Sequence, residues 1–162
     1  MAEKNDTTNV LSLLDKKSTK VSSTEKIWGK PVVSHGYAGV PSILLRAQHR
    51  LGLTSVQLNI LIQLLDYWMD PTRPPFPSKT QLAGRIGINP KTVQVNVRAL
   101  ENAGFVSREY RKTASGDFNS NIYHLDGLVK KIQSLEPEFA AERESRKAAQ
   151  KKLITPKGKI KS

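Results

Sequence analysis

The fold is decided by residues 78–104, which read SKTQLAGRIGINPKTVQVNVRALENAG. This stretch carries the start signals of two helices in close succession. Ser78 and Gln81 match the S/T-x-x-E/Q capping box, in which each residue satisfies a backbone N–H of the other at the start of a helix. Asn89 is a favourable N-cap, and Pro90 suits the first position of a second helix.

Glycines follow both of these helices and indicate where they end. Gly87 and Gly104 suit helix ends because glycine adopts the left-handed conformation without steric cost. We therefore expect helices over Ser78–Ile86 and Pro90–Ala103. Two short helices joined by a tight, glycine-containing turn form a helix-turn-helix.

The hydrophobic pattern changes after the second helix. Residues 105–112 and 121–125 have strand character, and Ser115-Gly116-Asp117 between them is a turn signal. A hairpin directly after a helix-turn-helix predicts a winged helix. Asp126 is then expected to cap a short helix over Gly127–Leu135. The predicted fold is mainly α with a small β-hairpin.

Two further helices are expected before the helix-turn-helix. One runs over Pro41–Leu51, and the other begins near residue 55, where Thr54 and Gln57 form another capping box. The second of these is apolar on more than one side, which is typical of a helix buried on both flanks. We expect it to lie between the Pro41–Leu51 helix and the helix-turn-helix; a homodimer interface is the alternative explanation. Trp28 and Trp68 are interpreted as core or packing residues and not as a platform for base stacking.

Composition limits the classes of function. The 162 residues hold 26 Lys and Arg against 14 Asp and Glu, a formal net charge of +12, and no cysteine. That length suggests one domain with tails, and the lack of cysteine excludes disulfides, cysteine-ligated metals and a thiol nucleophile. No run of about 20 apolar residues is present to span a membrane, and the polar first thirty residues predict a cytoplasmic protein without a signal peptide. The basic balance favours a polyanionic partner.

Three segments differ in composition. Residues 1–24 are polar and are predicted to be a disordered N-terminal tail. Residues 25–135 hold most of the apolar residues and form the predicted winged helix-turn-helix domain. Residues 136–162 are rich in Glu, Ala, Lys and Arg and predict a charged helix followed by a flexible basic tail. Either tail is a candidate surface for replication or transcription proteins.

The helix over residues 90–103 divides into an apolar and a polar side. Val93, Val97 and Leu100 repeat at helical spacing and form the expected inward face. The opposite side carries the groups that read base edges: cations for guanine, an amide for adenine and an apolar contact for the thymine methyl. These candidates are Lys91, Gln94, Val95 and Arg98; for Lys91, a contact to a phosphate is the alternative.

Five further residues are candidates for contacts to the DNA backbone or, for those on the hairpin, to the minor groove. Arg108, Arg111 and Lys112 lie on the predicted hairpin. Lys79 and Thr80 open the first helix of the motif, where backbone N–H groups and the helix dipole suit a phosphate oxygen.

Residues 76–106 carry the spaced pattern PS…LA…G…TV…L…G, which resembles bacterial winged helix-turn-helix domains and is shared with GntR-type regulators. The flanks, Gly39–Leu45 and Ser120–Leu125, are similar to helix-turn-helix domains of phage and plasmid replication initiators and of prophage regulators. The resemblance covers about residues 36–135. It implies that helix 90–103 faces DNA through the four candidates above and that the 105–125 hairpin is the wing.

Other chemistries find little support in the sequence. His35, His49 and His124 lie far apart and lack neighbours at metal-ligand spacing. The glycines of Gly84–Gly87 follow a helix and not a strand, which is the wrong context for a phosphate loop. We therefore predict a non-enzymatic, cofactor-free protein that binds double-stranded DNA sequence-specifically, as a transcriptional regulator or a replication-initiation factor. The alternative is a winged helix used for protein docking, with only non-specific DNA affinity.

Overall fold

The computed structural model describes residues 21–110, 121–156 and 158. The described chain divides into two compact units, with the boundary between Tyr37 and Ala38. The first unit contains two short helices, α1 (Ser23–Trp28) and α2 (Lys30–Val33). The described part of the second unit contains, in order, α3 (Ser42–Arg46), α4 (Ser55–Tyr67), α5 (Lys79–Ile86), α6 (Pro90–Asn102), β1 (Ser107–Glu109), β2 (Ile122–His124) and α7 (Asp126–Ile154).

The first unit differs from the sequence-based expectation in two respects. Helix α1 begins at Ser23, inside the stretch predicted to be disordered, because the side chain of Ser22 accepts a hydrogen bond from the N–H of Glu25 at 3.1 Å. Residues 1–20 of that stretch lie outside the described residues. Trp28 is 64% exposed, so its interpretation as a packing residue is wrong. Neither short helix has a buried residue.

Both predicted capping boxes are present in the second unit. At the start of α4, the Thr54 side chain accepts from the N–H of Gln57 at 3.2 Å, and Gln57 Oε1 accepts from the N–H of Thr54 at 3.0 Å. At the start of α5, Ser78 and Gln81 make the same two hydrogen bonds, at 3.1 and 2.8 Å. These reciprocal bonds satisfy backbone donors that the helix itself leaves free.

The turn between α5 and α6 also has the predicted chemistry. Gly87 has φ of 76° and lies in the left-handed region, which an L residue with a Cβ adopts only with strain. Asn89 Oδ1 then accepts from the N–H of Lys91 at 2.8 Å, and Pro90 is the first residue of α6. Helix α6 ends at Asn102, one residue before the predicted end. Helices α5 and α6 therefore form a helix-turn-helix.

Helix α3 is shorter than the predicted Pro41–Leu51 helix and ends at Arg46. The hydrogen bond from Gln48 N to the Leu45 carbonyl spans only three residues, which marks a tightened last turn. Gly52, with φ of 68°, adopts the left-handed conformation, and the next residue, Leu53, is buried in the core. The need to bury Leu53 explains the early end of the helix.

One apolar cluster lies at the centre of the second unit. Helix α4 packs against α5 and α6 and contributes Ile60, Leu61 and Leu64. The predicted inward face of α6 is confirmed, since all three of its residues are buried in the same cluster: Val93, Val97 and Leu100. Leu44 of α3 also belongs to this cluster, and Trp68 packs against it.

The wing is a two-stranded antiparallel sheet. Its register pairs Ser107 with His124, Arg108 with Tyr123 and Glu109 with Ile122. The residues between Tyr110 and Asn121 lie outside the described part of the chain, so the structure describes the base of the wing. The N–H of Tyr123 also donates to the Pro75 carbonyl at 2.8 Å, which joins the wing to the loop before α5.

Helix α7 is one continuous helix of 29 residues, whereas the sequence predicts an end at Leu135 and a separate charged helix. Pro137 removes only one backbone donor, and the turns after it contact α3 and the residues that follow α3. Arg50 donates two hydrogen bonds of 2.7 Å to the Glu138 carboxylate, and the guanidinium of Arg46 lies 5.0 Å from the centre of the Phe139 ring. Asp126 does not cap this helix: it is the first helical residue, and the N-cap is Leu125, without a side-chain hydrogen bond.

Within the described residues, no helix combines the length and apolar character needed to cross a bilayer.

Candidate nucleic-acid interface

A surface groove of about 430 Å³ lies where the start of α5, one side of α6 and the base of the wing meet. The capping box of α5 and the Asn89 cap of α6 fix the two helices at their first turns, and the β1–β2 register fixes the third side. The residues that line the groove are Ser78, Lys79, Thr80, Val93, Gln94, Val97, Arg98, Arg108, Tyr110, Asn121 and Tyr123.

The groove brings together five of the nine residues predicted from the sequence: Lys79, Thr80, Gln94, Arg98 and Arg108. Lys91 and Val95 are exposed on α6 but do not line it, and Val95 is 60% exposed. The last two predicted residues, Arg111 and Lys112, lie outside the described residues.

The charge of this surface is one-sided. Lys79, Lys91 and Arg98 are exposed, and within the described chain none of them forms an ion pair. No Asp or Glu is among the described residues that line the groove. A concave surface with unpaired cations and no carboxylate attracts anions, because its field is not cancelled locally.

Arg108 differs from the other cations of the groove. Its side chain is only 10% exposed, and it forms a salt bridge to Glu101 near the end of α6. Arg108 Nε donates to Glu101 Oε1 at 2.7 Å, and Nη2 donates to the other carboxylate oxygen. The hydrogen bond to Glu101 raises the pKa of Arg108 above its ordinary value. The guanidinium predicted to contact DNA is therefore already engaged within the protein.

Three residues of the wing line the groove but are not among the nine predicted from the sequence: Tyr110, Asn121 and Tyr123. Asn121 directly precedes β2 and lies two positions before Tyr123, a spacing that places both side chains on one face of an extended chain. Tyr123 is buried, and burial is the main cause that raises the pKa of its hydroxyl. The two-residue alternation was the available signal, but it does not say which face of a hairpin meets α6.

Comparison with known proteins agrees with this architecture. Residues 51–106 match the family model described as a helix-turn-helix domain. A search of curated protein sequences finds no match. Together with the β1–β2 hairpin after α6, the match shows that this part of the chain has a winged helix-turn-helix fold.

Several solved structures are similar to this chain, and one of them, with a TM-score above 0.5, supports the fold. The N-terminal domain of DnaD protein from Geobacillus kaustophilus is similar with a TM-score of 0.51 and 22% identity, over 71% of this chain and 93% of that chain. A possible transcriptional regulator from Methanosarcina mazei has a TM-score of 0.43 and 20% identity, over 67% of this chain and 85% of that chain. A multiple antibiotic-resistance repressor from Listeria monocytogenes has a TM-score of 0.40 and 20% identity, over 94% of this chain and 86% of that chain.

The helix-turn-helix domain supports a DNA-binding regulatory role. In helix-turn-helix proteins the second helix lies in the major groove and presents its N-terminal residues to base edges. The corresponding helix here is α6, and its exposed side carries an amide and two cations.

Proposed function

We propose that this protein is a sequence-specific binder of double-stranded DNA, with α6 in the major groove and the wing on the flanking backbone or in the minor groove. The observation that carries the proposal is the groove between α5, α6 and the wing, which has exposed, unpaired cations and no carboxylate in its described lining. A solvated surface without a ligand normally mixes charges of both signs.

The exposed side chains suggest a division of roles. Gln94 and Arg98 line the groove from α6 and are proposed to read base edges, since an amide suits adenine and a guanidinium suits guanine. Val95 is proposed to contact a thymine methyl. Lys91, together with Lys79 and Thr80 at the start of α5, is proposed to bind phosphates. Arg111 and Lys112 remain predicted backbone contacts of the wing.

The biological role is proposed to be transcriptional control or replication initiation in the cytoplasm of a bacterium, in a phage or on a plasmid. A repressor needs only to occupy its DNA site, whereas an initiator needs a second surface for other replication proteins. The likeness to a DnaD N-terminal domain and to transcriptional regulators is compatible with either role. A homodimer is also proposed, and a palindromic DNA site would support it, because half-site symmetry follows protein symmetry. No catalytic or cofactor chemistry is part of the proposal.

The experiment is an unbiased duplex selection, followed by binding measurements on selected and random duplexes over a range of salt concentrations. We expect the selected duplex to bind at least about 10³-fold more tightly than random sequence. No enrichment above random sequence would contradict the proposal and would favour a protein-docking module with non-specific DNA affinity.

Two variants separate base reading from phosphate binding. Arg98→Ala is expected to cost roughly 1–3 kcal/mol on the selected duplex and to relax preference at one base pair. Lys79→Ala is expected to weaken all duplexes similarly and to lower the salt slope by about one. Arg143→Ala on α7 removes the same charge outside the groove and is the matched control. An equal loss on every sequence would make Arg98 a phosphate contact.

A further inference from the structure

The ion pair between Glu101 and Arg108 connects the two parts of the groove. Glu101 lies in the last turn of α6, and Arg108 is the central residue of β1. Their side chains are 24% and 10% exposed, which makes this the least exposed ion pair among the described residues. Two hydrogen bonds from one guanidinium to one carboxylate fix the relative orientation of both groups.

Arg108 also contacts the rest of the wing. It lies opposite Tyr123 in the strand register, and its guanidinium is 5.7 Å from the centre of the Tyr110 ring. Tyr123 in turn donates through its N–H to the Pro75 carbonyl in the loop before α5. The Arg108 side chain therefore links the end of α6 to β1, and the antiparallel pairing of β1 with β2 connects it to the second strand of the wing.

The neighbouring Glu109 gives a useful contrast. It lies next to Arg108 in β1, and its carboxylate is 64% exposed and 3.3 Å from the imidazole of His124. Exposed pairs of this kind are screened by water and contribute little to holding two elements together. The pair formed by Glu101 is shielded from water, so its geometry is better maintained.

We propose that Glu101 and Arg108 are positioning residues, which set the distance between α6 and the wing and so the width of the groove that receives DNA. This inference rests on the proposed function. The groove has Gln94 and Arg98 on one side and Asn121 on the other. When the pair is intact, a DNA backbone in the groove meets both sides at once. Arg108 acts through Glu101 and is not itself a phosphate contact.

Glu101→Gln distinguishes a positioning role of Arg108 from a phosphate contact, because the two roles predict opposite changes in DNA affinity. If Arg108 positions the wing, the variant loses a charge-assisted hydrogen bond, and binding to the selected duplex is expected to weaken about tenfold. If Arg108 instead binds a phosphate, the variant frees its charge and removes a carboxylate near DNA, and binding becomes tighter. Glu109→Gln removes the same charge from a neighbouring exposed site. This control is expected to bind as well as wild type or slightly better.

Arg108→Lys adds a second, milder test. Lysine keeps the positive charge but lacks the planar fork that grips both carboxylate oxygens. We expect a loss similar to that of Glu101→Gln, with an unchanged salt slope, because no phosphate contact is removed. Wild-type affinity in Arg108→Lys, or a salt slope lower by about one in Arg108→Gln, would overturn the proposal.

A double-mutant cycle completes the DNA measurements. If the two residues act only through each other, Glu101→Gln combined with Arg108→Gln is expected to lose no more affinity than Arg108→Gln alone. If the fold-loss of affinity in the double variant equals the product of the fold-losses of the two single variants, the residues act independently. That result would refute the pair as a unit.

Amide hydrogen exchange tests the positioning role without DNA. In Glu101→Gln, exchange is expected to accelerate in β1 and β2 while the N–H groups of Leu61 and Leu64 in α4 stay protected. Unchanged exchange in the wing would contradict the proposal. If wild type selects no duplex, the proposed function fails, and this measurement still decides whether the pair holds the wing.

Discussion

Helix α7 starts so close to the turn after α6 that its second residue has to be glycine. A Cβ added to Gly127 would lie 2.1 Å from the carbonyl oxygen of Gly104, 3.1 Å from its carbonyl carbon and 3.2 Å from the carbonyl oxygen of Phe105. All three atoms belong to the backbone, so no change of side-chain rotamer relieves the overlap. The N–H of Leu128 also donates to the Phe105 carbonyl at 2.8 Å. Gly127→Ala should therefore push α7 away from the base of the wing.

The size of the effect follows from these distances. Carbon–oxygen contacts in proteins are about 3.3 Å or longer, so the backbones have to separate by about 1 Å. Overpacking of this kind costs about 1–3 kcal/mol, and weakening the Leu128 hydrogen bond adds about 1 kcal/mol. The higher helix propensity of alanine offsets less than about 1 kcal/mol of this destabilisation. We expect Gly127→Ala to lower the free energy of unfolding by about 1–3 kcal/mol.

Urea denaturation followed by far-ultraviolet circular dichroism measures this change directly. Gly84→Ala in α5 is the matched control, because a Cβ there meets nothing within 4 Å. The control is expected to gain about 0.5–1 kcal/mol, so the two substitutions should act in opposite directions. A Gly127→Ala protein as stable as wild type, or a Gly84→Ala protein destabilised to the same extent, would refute the steric argument.

Urea denaturation tests two further predictions, and amide hydrogen exchange tests a third. Asn89→Ala removes the acceptor for the Lys91 N–H and is expected to cost about 1 kcal/mol, whereas Asn89→Asp keeps the cap; equal stability of both would contradict the capping role. Leu61→Ala empties a fully buried position of α4 and is expected to cost about 2–5 kcal/mol, and a loss below about 1 kcal/mol would contradict its burial. The hydrogen bonds from Arg50 hold the pKa of Glu138 below its ordinary value, so this pair stabilises α7 above the unfolded-state pKa of Glu138, and the effect is lost as pH falls through the folded-state pKa. Amide protection after residue 138, measured relative to the intrinsic exchange rate at each pH, should fall over that acidic range in wild type but not in Glu138→Gln, and the same fall in the variant would rule the pair out as its cause.

The helix-turn-helix could be predicted from the sequence because its determinants are local. Ser78 and Gln81 are three residues apart, and Asn89 acts on the N–H of Lys91 two residues away. The inward face of α6 repeats at helical spacing, so it too is contained in one short stretch. Local signals of this kind do not depend on how the rest of the chain packs.

Features that depend on distant partners could not be predicted. Beyond Pro137, helix α7 contacts residues far earlier in the sequence: Glu138 pairs with Arg50, 88 positions earlier, and Phe139 lies beside Arg46. Without those contacts, a proline between two charged residues predicts the end of a helix, because proline lacks the backbone N–H that a helix interior uses. Helix α3 stops early for a similar reason, since Leu53 has to reach the core formed by later helices.

The pairing of Arg108 with Glu101 lies between these two cases, local signals and distant partners. It also determines which cations of the groove are available to bind DNA. Glu101 is seven residues away across a helix end and a turn, a separation with no fixed geometry in any regular element. Without that geometry, Arg108 is simply a cation on a strand and counts as a DNA contact. With it, the charge is neutralised within the protein, and the exposed cations of the described surface that remain without an ion pair in this region are Lys79, Lys91 and Arg98. Helix α6 thus combines three functions around its surface: its buried side packs on α4, its exposed side faces the groove, and its last turn holds the wing through Glu101.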